Sequence, residues 1–572
     1  MGILANQDAA TREFKWLSRL AEGASVDLRA PYFSKEPRKS IVKGLEAQIG
    51  RLIKSDEILG LVFHYLESPE MEKIGPQSTA KPWNEWGPDL AQNLYQDTPF
   101  PGPDINSRAL ERSVEHVQSL VKVDSIRMTS AQQAIGQRVN GSVESMEAEG
   151  MDGTTNSGFP YLIGHWKPGL DESDPEKLEA FRWLMSKRVP SVNEALSQGK
   201  VVELSAIAST RMTQKGADGP AMRLVDAIEK VEPICWKRFT PDLIAALRET
   251  MQFCALNDTP YIDLTMQTIL ETAGREGRTV IGGDYSNYDQ SLPSEFIALG
   301  GQIIANWVRG GRTYVNALVR SMINSRLVTP TKIWPIAPGG MRSGSGGTNL
   351  LDSVCNLIVI YYGQEAGYWK VVSAAVQGDD FVLDGPGVTP EAVAEVASLF
   401  GLSAHPEKQF SVGGSLSFLK RLHIEGKLGG IASVMRTLGS ILSYERLGVR
   451  PKDWNSEVND TIRARAQLQN ACFSPFFETL VQYVSSGDRF HLGKGKTLRQ
   501  LLKSAGDTAT STLRDSLSGQ VQLLGGALDT SSLDKAVVRV LDGKRMPPWG
   551  SRQRFLDAYG DRASHAVPRK MA

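Results

Sequence analysis

Two acidic turns, far apart in the chain, constrain its fold more than any other feature. A short stretch, Arg278-Thr279-Val280-Ile281, turning apolar at Val280, feeds Gly282-Gly283-Asp284 as a buried strand would. Further on, 371–377 and 381–384 read as short strands flanking Gly378-Asp379-Asp380, and their length and turn residues predict a hairpin. Carboxylates in such apolar surroundings are unfavourable unless a partner offsets them, and a divalent cation is the usual partner. Two Mg²⁺ ions about 3.5–4 Å apart, bridged by carboxylates, clamp the attacking and leaving oxygens of an in-line phosphoryl transfer. Mg²⁺ takes few carboxylates and completes its shell with substrate phosphates, so two or three aspartates suffice. A Gly-Asp-Asp tripeptide alone is weak evidence, because a solvated turn has the same spelling. Asp384 reads as a solvated strand end.

The neighbours sharpen this. Asp284 opens Asp284-Tyr285-Ser286-Asn287-Tyr288-Asp289, and Ser343-Gly344-Ser345-Gly346-Gly347-Thr348 runs straight into an apolar helix predicted over 348–366. Glycines there let backbone approach a nucleotide or template strand, and a helix start offers free N–H groups to phosphates. A flexible linker is the bland alternative, but linkers rarely open so abruptly into an apolar helix. Thr348, Asp352 and Asn356 recur at i, i+4 and i+8 and share one helix face.

Composition sets the frame. The chain has 572 residues, 41% hydrophobic and 22% charged, which excludes a mainly disordered protein. That length suggests about three to four domains or one multi-lobed body. Lys plus Arg and Asp plus Glu are 64 each, so any nucleic-acid footprint is local. Four cysteines without a C-x-x-C exclude a disulfide framework, and seven scattered histidines make a zinc site unexpected. Neither a secretory leader nor a membrane span is expected. Helical patterns cover 1–70, 108–150, 175–199, 294–323, 390–401 and most of 431–572, whereas 74–107, rich in Pro, Trp and Gly, reads as an extended crossing loop. Gly493-Lys494-Gly495-Lys496-Thr497 ends like a phosphate-binding loop, but Phe490 stands where that pattern needs glycine, so a basic surface turn is expected.

The order Asp284…Asp289, then Ser343-Gly344…Thr348, then Gly378-Asp379-Asp380 resembles motifs A, B and C of viral RNA-dependent RNA polymerases. The resemblance implies Asp284 and Asp379 as metal ligands, Asp380 as a supporting carboxylate, and two Mg²⁺ or Mn²⁺ ions as cofactors. Asp289 would read the ribose 2′-hydroxyl, and Ser343, Gly344 and Thr348 match the motif B loop. The family usually has Asn four residues after that threonine. Here it is Asp352, so sugar selection passes to Asp352, is shared with Asn349 or Asn356, or is rewired. Phe418-Leu419-Lys420-Arg421 matches motif E, the primer grip. Lys408, in His405-Pro406-Glu407-Lys408-Gln409, stands where motif D places a lysine resembling a general acid for pyrophosphate, with a plain surface lysine as the bland alternative. His405 is read as structural. Arg211, Lys215 and Arg223 resemble motif F over the triphosphate tunnel. Thr155-Asn156-Ser157-Gly158-Phe159-Pro160 resembles the template-steering motif G. The spellings G-D-Y-S-N-Y-D and R-S-G-S-G-G-T-N are similar to those in polymerases of small double-stranded RNA viruses such as picobirnaviruses and partitiviruses.

This resemblance, running from about residue 154 to 421, implies an α+β fold, a closed right hand. Fingers would span 71–270. A palm of antiparallel sheet backed by helices would span 271–430, with a fingers insert near 300–342. A helical thumb with a basic tail would span 431–572, and residues 1–70 would bridge fingers and thumb. Implied partners are RNA template and product, ribonucleoside triphosphates and a viral capsid protein. The chain would act as a monomer in a virion interior or host cytoplasm, with primer-independent initiation. The tail 544–572, with Trp549, Phe555 and Tyr559, would lie near the RNA exit or tether the chain to a capsid shell. Two alternatives remain. Reverse transcriptase-like enzymes usually carry an aromatic or apolar residue before the Asp pair and a bulky gate after the first acid; this chain has Gly378 and Asp289. A non-catalytic RNA-binding capsid-associated protein would carry a decayed site, against which intact Asp284, Asp379 and Asp380 argue.

Overall fold

The computed structural model describes residues 7–25, 32–33, 36–73, 79–94, 98–135, 158, 183–212, 222–334, 339–442, 455–505, 531–560 and 562–563. At its centre lies a three-stranded antiparallel sheet in which Asp380–Asp384 runs between Ile281–Gly283 and Ser373–Gln377. Side chains alternate across it with the two-residue period of a strand. Phe381, Leu383, Ala374 and Val376 face one apolar cluster, which includes helices Ser294–Trp307 and Thr348–Glu365. Val382 and Ala375 face another, shared with helix Thr259–Arg275 and with Leu416 and Phe418. Both faces are therefore covered, which is why these strands read as continuous apolar runs. Helix Thr348–Glu365 is buried from Leu350 to Gly363, as its apolar composition all round requires.

Two further sheets flank the centre. Ser415–Phe418, Arg421–Ile424 and Lys427–Ile431 form an antiparallel meander. It lies so close to Ile281–Gly283 that a Cβ on Gly282 would sit 2.2 Å from the Ser417 carbonyl oxygen, which explains a glycine inside that strand. The other sheet has the order Met222–Ile228, Ser205–Met212, Arg326–Val328, Ile333–Trp334. Ser205–Met212 and Arg326–Val328 pair in parallel, so the chain returns to this sheet after helices Ser294–Trp307 and Arg312–Ile323.

The C-terminal helices build a separate apolar cluster, around Leu438, Phe477, Val537 and Phe555, that also takes in Ile41, Leu45 and Ile49. The N-terminal segment touches two bodies. Trp16 Nε1 donates to the Ala208 carbonyl at 2.9 Å, whereas Tyr483 donates its hydroxyl to the Ile41 carbonyl at 2.7 Å. Within 74–107 the expected crossing loop contains helix Gly87–Leu94, seated on the buried Trp83. Its tryptophans supply a core that a loop reading overlooks. In the tail, Phe555 and Tyr559 are buried, and Arg554 donates to the carbonyls of Cys472 and Ser474 at 2.8 and 3.2 Å. Helix Arg552–Tyr559 is thus part of the packed C-terminal body. All four cysteines are buried free thiols, and no described helix is long and apolar enough to cross a membrane.

Asp384 is the reverse of a solvated strand end. Its carboxylate is fully buried and takes a two-pronged ion pair from Arg278, Nε at 2.9 Å and Nη2 at 3.0 Å. Another buried acid ties together segments remote in sequence. Glu67 accepts from Ser433 Oγ at 2.6 Å and from the backbone N–H of Val434 and Met435 at 3.0 Å each, capping helix Val434–Leu442. Burial outweighs these bonds and pushes its pKa from 4.5 up to about 7. The folded state therefore holds an extra proton between those values, and stability falls as pH climbs through that window. Between about pH 5 and about pH 8, thermal denaturation followed by circular dichroism is expected to show a larger drop in Tm for the native chain than for Glu67→Gln.

Candidate active site

The strand register builds the site. Gly283 pairs with Phe381, and Gln377 pairs with Asp380 across the two-residue loop Gly378-Asp379. One step beyond the Gly283–Phe381 pair the same register would set Asp284 opposite Asp380, and opposed antiparallel residues have Cα atoms about 4.5–5.5 Å apart. Gly378 has φ 61°, as the first loop position of this hairpin type requires, and that conformation selects glycine. Helix Thr348–Glu365 clamps the turn from below. Ser353 Oγ accepts from the Gly378 N–H at 2.8 Å, and Asn356 Nδ2 donates to the Gly378 carbonyl at 3.0 Å. Tyr285 in turn donates its hydroxyl to Asn356 Oδ1 at 3.2 Å.

Asp284 and Asp379 line a cavity of about 200 Å³ together with Arg223, Asp226, Asn287, Asp289, Gln290 and Ser343. Its electrostatics are those of crowded carboxylates. Burial, with Asp284 nearby, raises the pKa of Asp379. Burial and the charges of Asp379 and Asp284 push Asp380 up to about 7, and burial and Asp379 push Asp289 up to about 6. Arg223 opposes all three shifts, and Lys420 opposes those of Asp379 and Asp380. Among the described residues no three His, Cys, Asp or Glu side chains converge into a ready-made ligand cage. The acids instead form an open wall of hard oxygen donors whose repulsion Arg223 and Lys420 relieve only in part. That chemistry suits a cation such as Mg²⁺, which takes few protein carboxylates and finishes its shell with phosphate and water.

Strand Met222–Ile228 also lines the cavity, through Met222, Arg223, Leu224 and Asp226. Arg223 lies directly across from Arg211 on the neighbouring strand. Ser343 Oγ accepts from the Asp226 N–H at 3.0 Å. A Cβ on Gly344 would meet the Asp226 carbonyl oxygen at 1.7 Å, and one on Gly158 would meet that of Ile228 at 2.0 Å. Two glycine-containing segments remote in sequence thus lean on one strand. Asp226 and Gln290 escaped sequence reasoning, since neither belongs to a short motif. Glu232 did too: it is fully buried, its pKa is pushed to about 7 by burial, and it holds Ser345 and Gly346 of the 343–348 loop.

A family profile described as viral RNA-dependent RNA polymerase matches residues 94–450. The chain belongs to that family. Among curated proteins it is 26% identical over 243 residues to a potential RNA-dependent RNA polymerase of human picobirnavirus, covering 41% of this chain and 45% of that one. It is 23% identical over 291 residues to a rhinovirus 14 genome polyprotein, of which the match covers 12%. The chain thus spans less than half the length of the curated relatives it matches. Its fold is similar to the crystal structure of the RNA-dependent RNA polymerase of a human picobirnavirus, with TM-score 0.71 and 18% identity over 95% of this chain and 97% of that one. The Sicinivirus 3Dpol RNA-dependent RNA polymerase is more distant, with TM-score 0.52 and 16% identity over 78% of this chain and 92% of that one. The α+β right-hand polymerase fold expected from the motifs is therefore the fold observed.

Within this polymerase-family site, several expected contact residues take other positions. Asn356 is fully buried and holds the Asp379 turn, so it is not exposed to a nucleotide. Thr348 donates its hydroxyl to the Arg342 carbonyl at 2.6 Å and shapes its own loop. Asp352 is buried, and its Oδ1 has no hydrogen-bond partner among the described residues. Burial, then Asp289 and Asp379, hold its pKa well above the usual range. Lys408 is exposed on the turn Pro406–Lys408, which is anchored because Phe410 and Gly282 exchange backbone hydrogen bonds of 2.7 and 2.9 Å. Thr155, Ser157, Pro160 and Lys215 lie outside the described residues, as does the side chain of Arg211.

Motif E divides. Phe418 and Arg421 are buried and unavailable to RNA. Arg421 pairs with Asp263 at 2.7 Å, and Tyr559 donates its hydroxyl to the same carboxylate at 2.7 Å. Leu419 packs against the cluster that contains Phe418. These residues hold the turn Leu419-Lys420, whose φ values of 52° and 60° are unfavourable for non-glycine residues. Lys420 is the member whose charge reaches Asp379 and Asp380. Arg421→Ala, which strands a buried carboxylate, is expected to cost about 3–5 kcal/mol of unfolding free energy in a urea titration. Lys420→Ala is expected to stay within about 0.5 kcal/mol.

Proposed function

We propose that the chain is an RNA-directed RNA polymerase, a template-directed nucleotidyltransferase that copies a viral RNA genome from ribonucleoside triphosphates. The observation that carries this is the pairing of Gly283 with Phe381, which brings Asp284 to the Asp379–Asp380 turn, at a cavity that Asp284, Asp379, Arg223 and Ser343 line together. Asp284, Asp379 and Asp380 would hold Mg²⁺ or Mn²⁺, two ions in all. When bound, such cations stabilise charge on the attacking and leaving oxygens of the transfer. The chain's own residues do the rest. Arg223 offsets triphosphate charge at the cavity wall. Asp289 accepts from a ribose hydroxyl, with Ser343 beside it. Lys408 delivers a proton to pyrophosphate. Base choice comes from pairing with the template.

The domain reading goes with this proposal: fingers in 71–270 with the return near 300–342, palm in 271–430, thumb in 431–572. Residues 1–70 bridge fingers and thumb, which the contacts of Trp16 with Ala208 and of Ile41 with Tyr483 support. We place the chain with RNA and nucleotides in a virion interior or host cytoplasm, as a monomer that meets a capsid protein and starts chains without a primer.

The test is synthesis on a single-stranded RNA template, with and without primer, with Mg²⁺ or Mn²⁺. Asp379→Ala is expected to lose at least about 10³-fold in rate, the scale of a major electrostatic contribution to transition-state stabilisation. A native chain that binds RNA yet incorporates nothing would favour the non-catalytic RNA-binding alternative. Asp289→Ala is expected to weaken discrimination of ribo- over deoxyribonucleotides more than it lowers kcat; an unchanged ratio of incorporation efficiencies removes that role. RNA affinity measured by fluorescence anisotropy is expected to fall steeply with added salt, because phosphate contacts dominate it.

A further inference from the structure

Glu232 stands on helix Val231–Lys237, outside every motif, and no described cation forms an ion pair with its buried carboxylate. A buried carboxylate lacking a cation is an unfavourable way to fill space. All the described donors to it are on its own helix or on one loop. Trp236 Nε1 donates at 2.8 Å, Ser345 Oγ donates to Oε1, and the Gly346 N–H donates to Oε2 at 3.0 Å.

The gripped loop is a stiff unit. Thr348 Oγ1 donates to the carbonyls of Arg342 and Ser345, and the Ser345 N–H donates to the Arg342 carbonyl at 3.0 Å. Gly346 and Gly347 have no room for a Cβ: one would meet Pro233 Cα at 2.9 Å, the other the Trp236 ring at 2.2 Å. At its leading end the same unit carries Ser343, on the cavity wall with Asp289 and Asp379. Ser343 is held directly by the Asp226 N–H at 3.0 Å, and whatever holds 345 and 346 fixes the other end of the unit that presents it to an incoming nucleotide.

We propose that Glu232 is a positioning residue for nucleotide binding: its carboxylate latches the 343–348 loop against helix Val231–Lys237 and so, together with the Asp226 N–H, fixes Ser343 at the cavity. This rests on the polymerase reading for the word nucleotide, but not for the latch. The loss of a buried acid's hydrogen bonds frees the loop without touching Asp284, Asp379 or Asp380, so the effect falls on substrate binding more than on the chemical step.

The experiment pairs hydrogen exchange with steady-state kinetics on the full chain, for Glu232→Ala, Glu232→Gln and Ser345→Ala. Glu232→Ala is expected to speed amide exchange in peptides covering 343–348. It should raise KM for ribonucleoside triphosphate by about tenfold or more while kcat changes by less than about threefold, the split expected when a change weakens ground-state binding and leaves the chemical step alone. Glu232→Gln keeps an acceptor and should recover part of the KM. Ser345→Ala removes one donor, leaves the acid in place, and should shift KM in the same direction by less. Exchange in 343–348 unchanged from the native chain, in a variant whose circular dichroism is native, would overturn the latch. Faster exchange with unchanged KM would overturn the positioning role. If the native chain incorporates no nucleotide at all, the polymerase reading fails, and the exchange arm still decides the latch.

Discussion

Like charges held in a partly dry cavity are the constraint around which this structure is arranged. Antiparallel pairing of Ile281–Gly283 with Asp380–Asp384 brings Asp284 to the Asp379–Asp380 turn, and burial strengthens the repulsion among them. Nothing in the acids themselves favours that meeting. The pairing persists because Phe381, Val382 and Leu383 are locked into apolar clusters on both faces of the sheet. Ser353, Asn356 and Tyr285 then hold the turn by hydrogen bonds. Sheet packing, in effect, forces the carboxylates into company that a bound cation would relieve.

The same logic orders the shell. Residues that look like ligand contacts by motif split into those that face the cavity and those that brace it. Lys420 projects its charge toward the acids only because Phe418 is buried behind it and Arg421 is tied to Asp263 and Tyr559. Tyr559 belongs to helix Arg552–Tyr559, so the C-terminal body reaches the Leu419-Lys420 turn through one buried carboxylate, that of Asp263. Glycines do comparable work at Gly344 and Gly158, where backbone approaches strand Met222–Ile228 too closely for any side chain.

Much of the frame was legible because it is local. Apolar runs bounded by turn residues marked the central strands to within a few residues, and a continuous apolar stretch marked helix Thr348–Glu365. Turn chemistry marked Gly378. The misreadings share a cause: each depended on a partner remote in sequence. Asp384 looks solvated until Arg278 is seen across the sheet, and 74–107 looks like a loop until its tryptophans find a core. Asn356 lies on the predicted helix face, yet spacing cannot say that the face meets a turn's backbone instead of a nucleotide.

By itself, the order of residues determined which segments become strand, turn and helix near the acids, because periodicity and glycine placement act over a few residues. It also determined the family, since the acidic and glycine-rich motifs recur in a characteristic order. Only the tertiary structure decided which polar groups are buried, which are exposed and which act on each other, as for Glu67 on Ser433 or Glu232 on Ser345. Those outcomes turn on desolvation and on hydrogen bonds between distant segments, and neither quantity exists until the chain has closed around them.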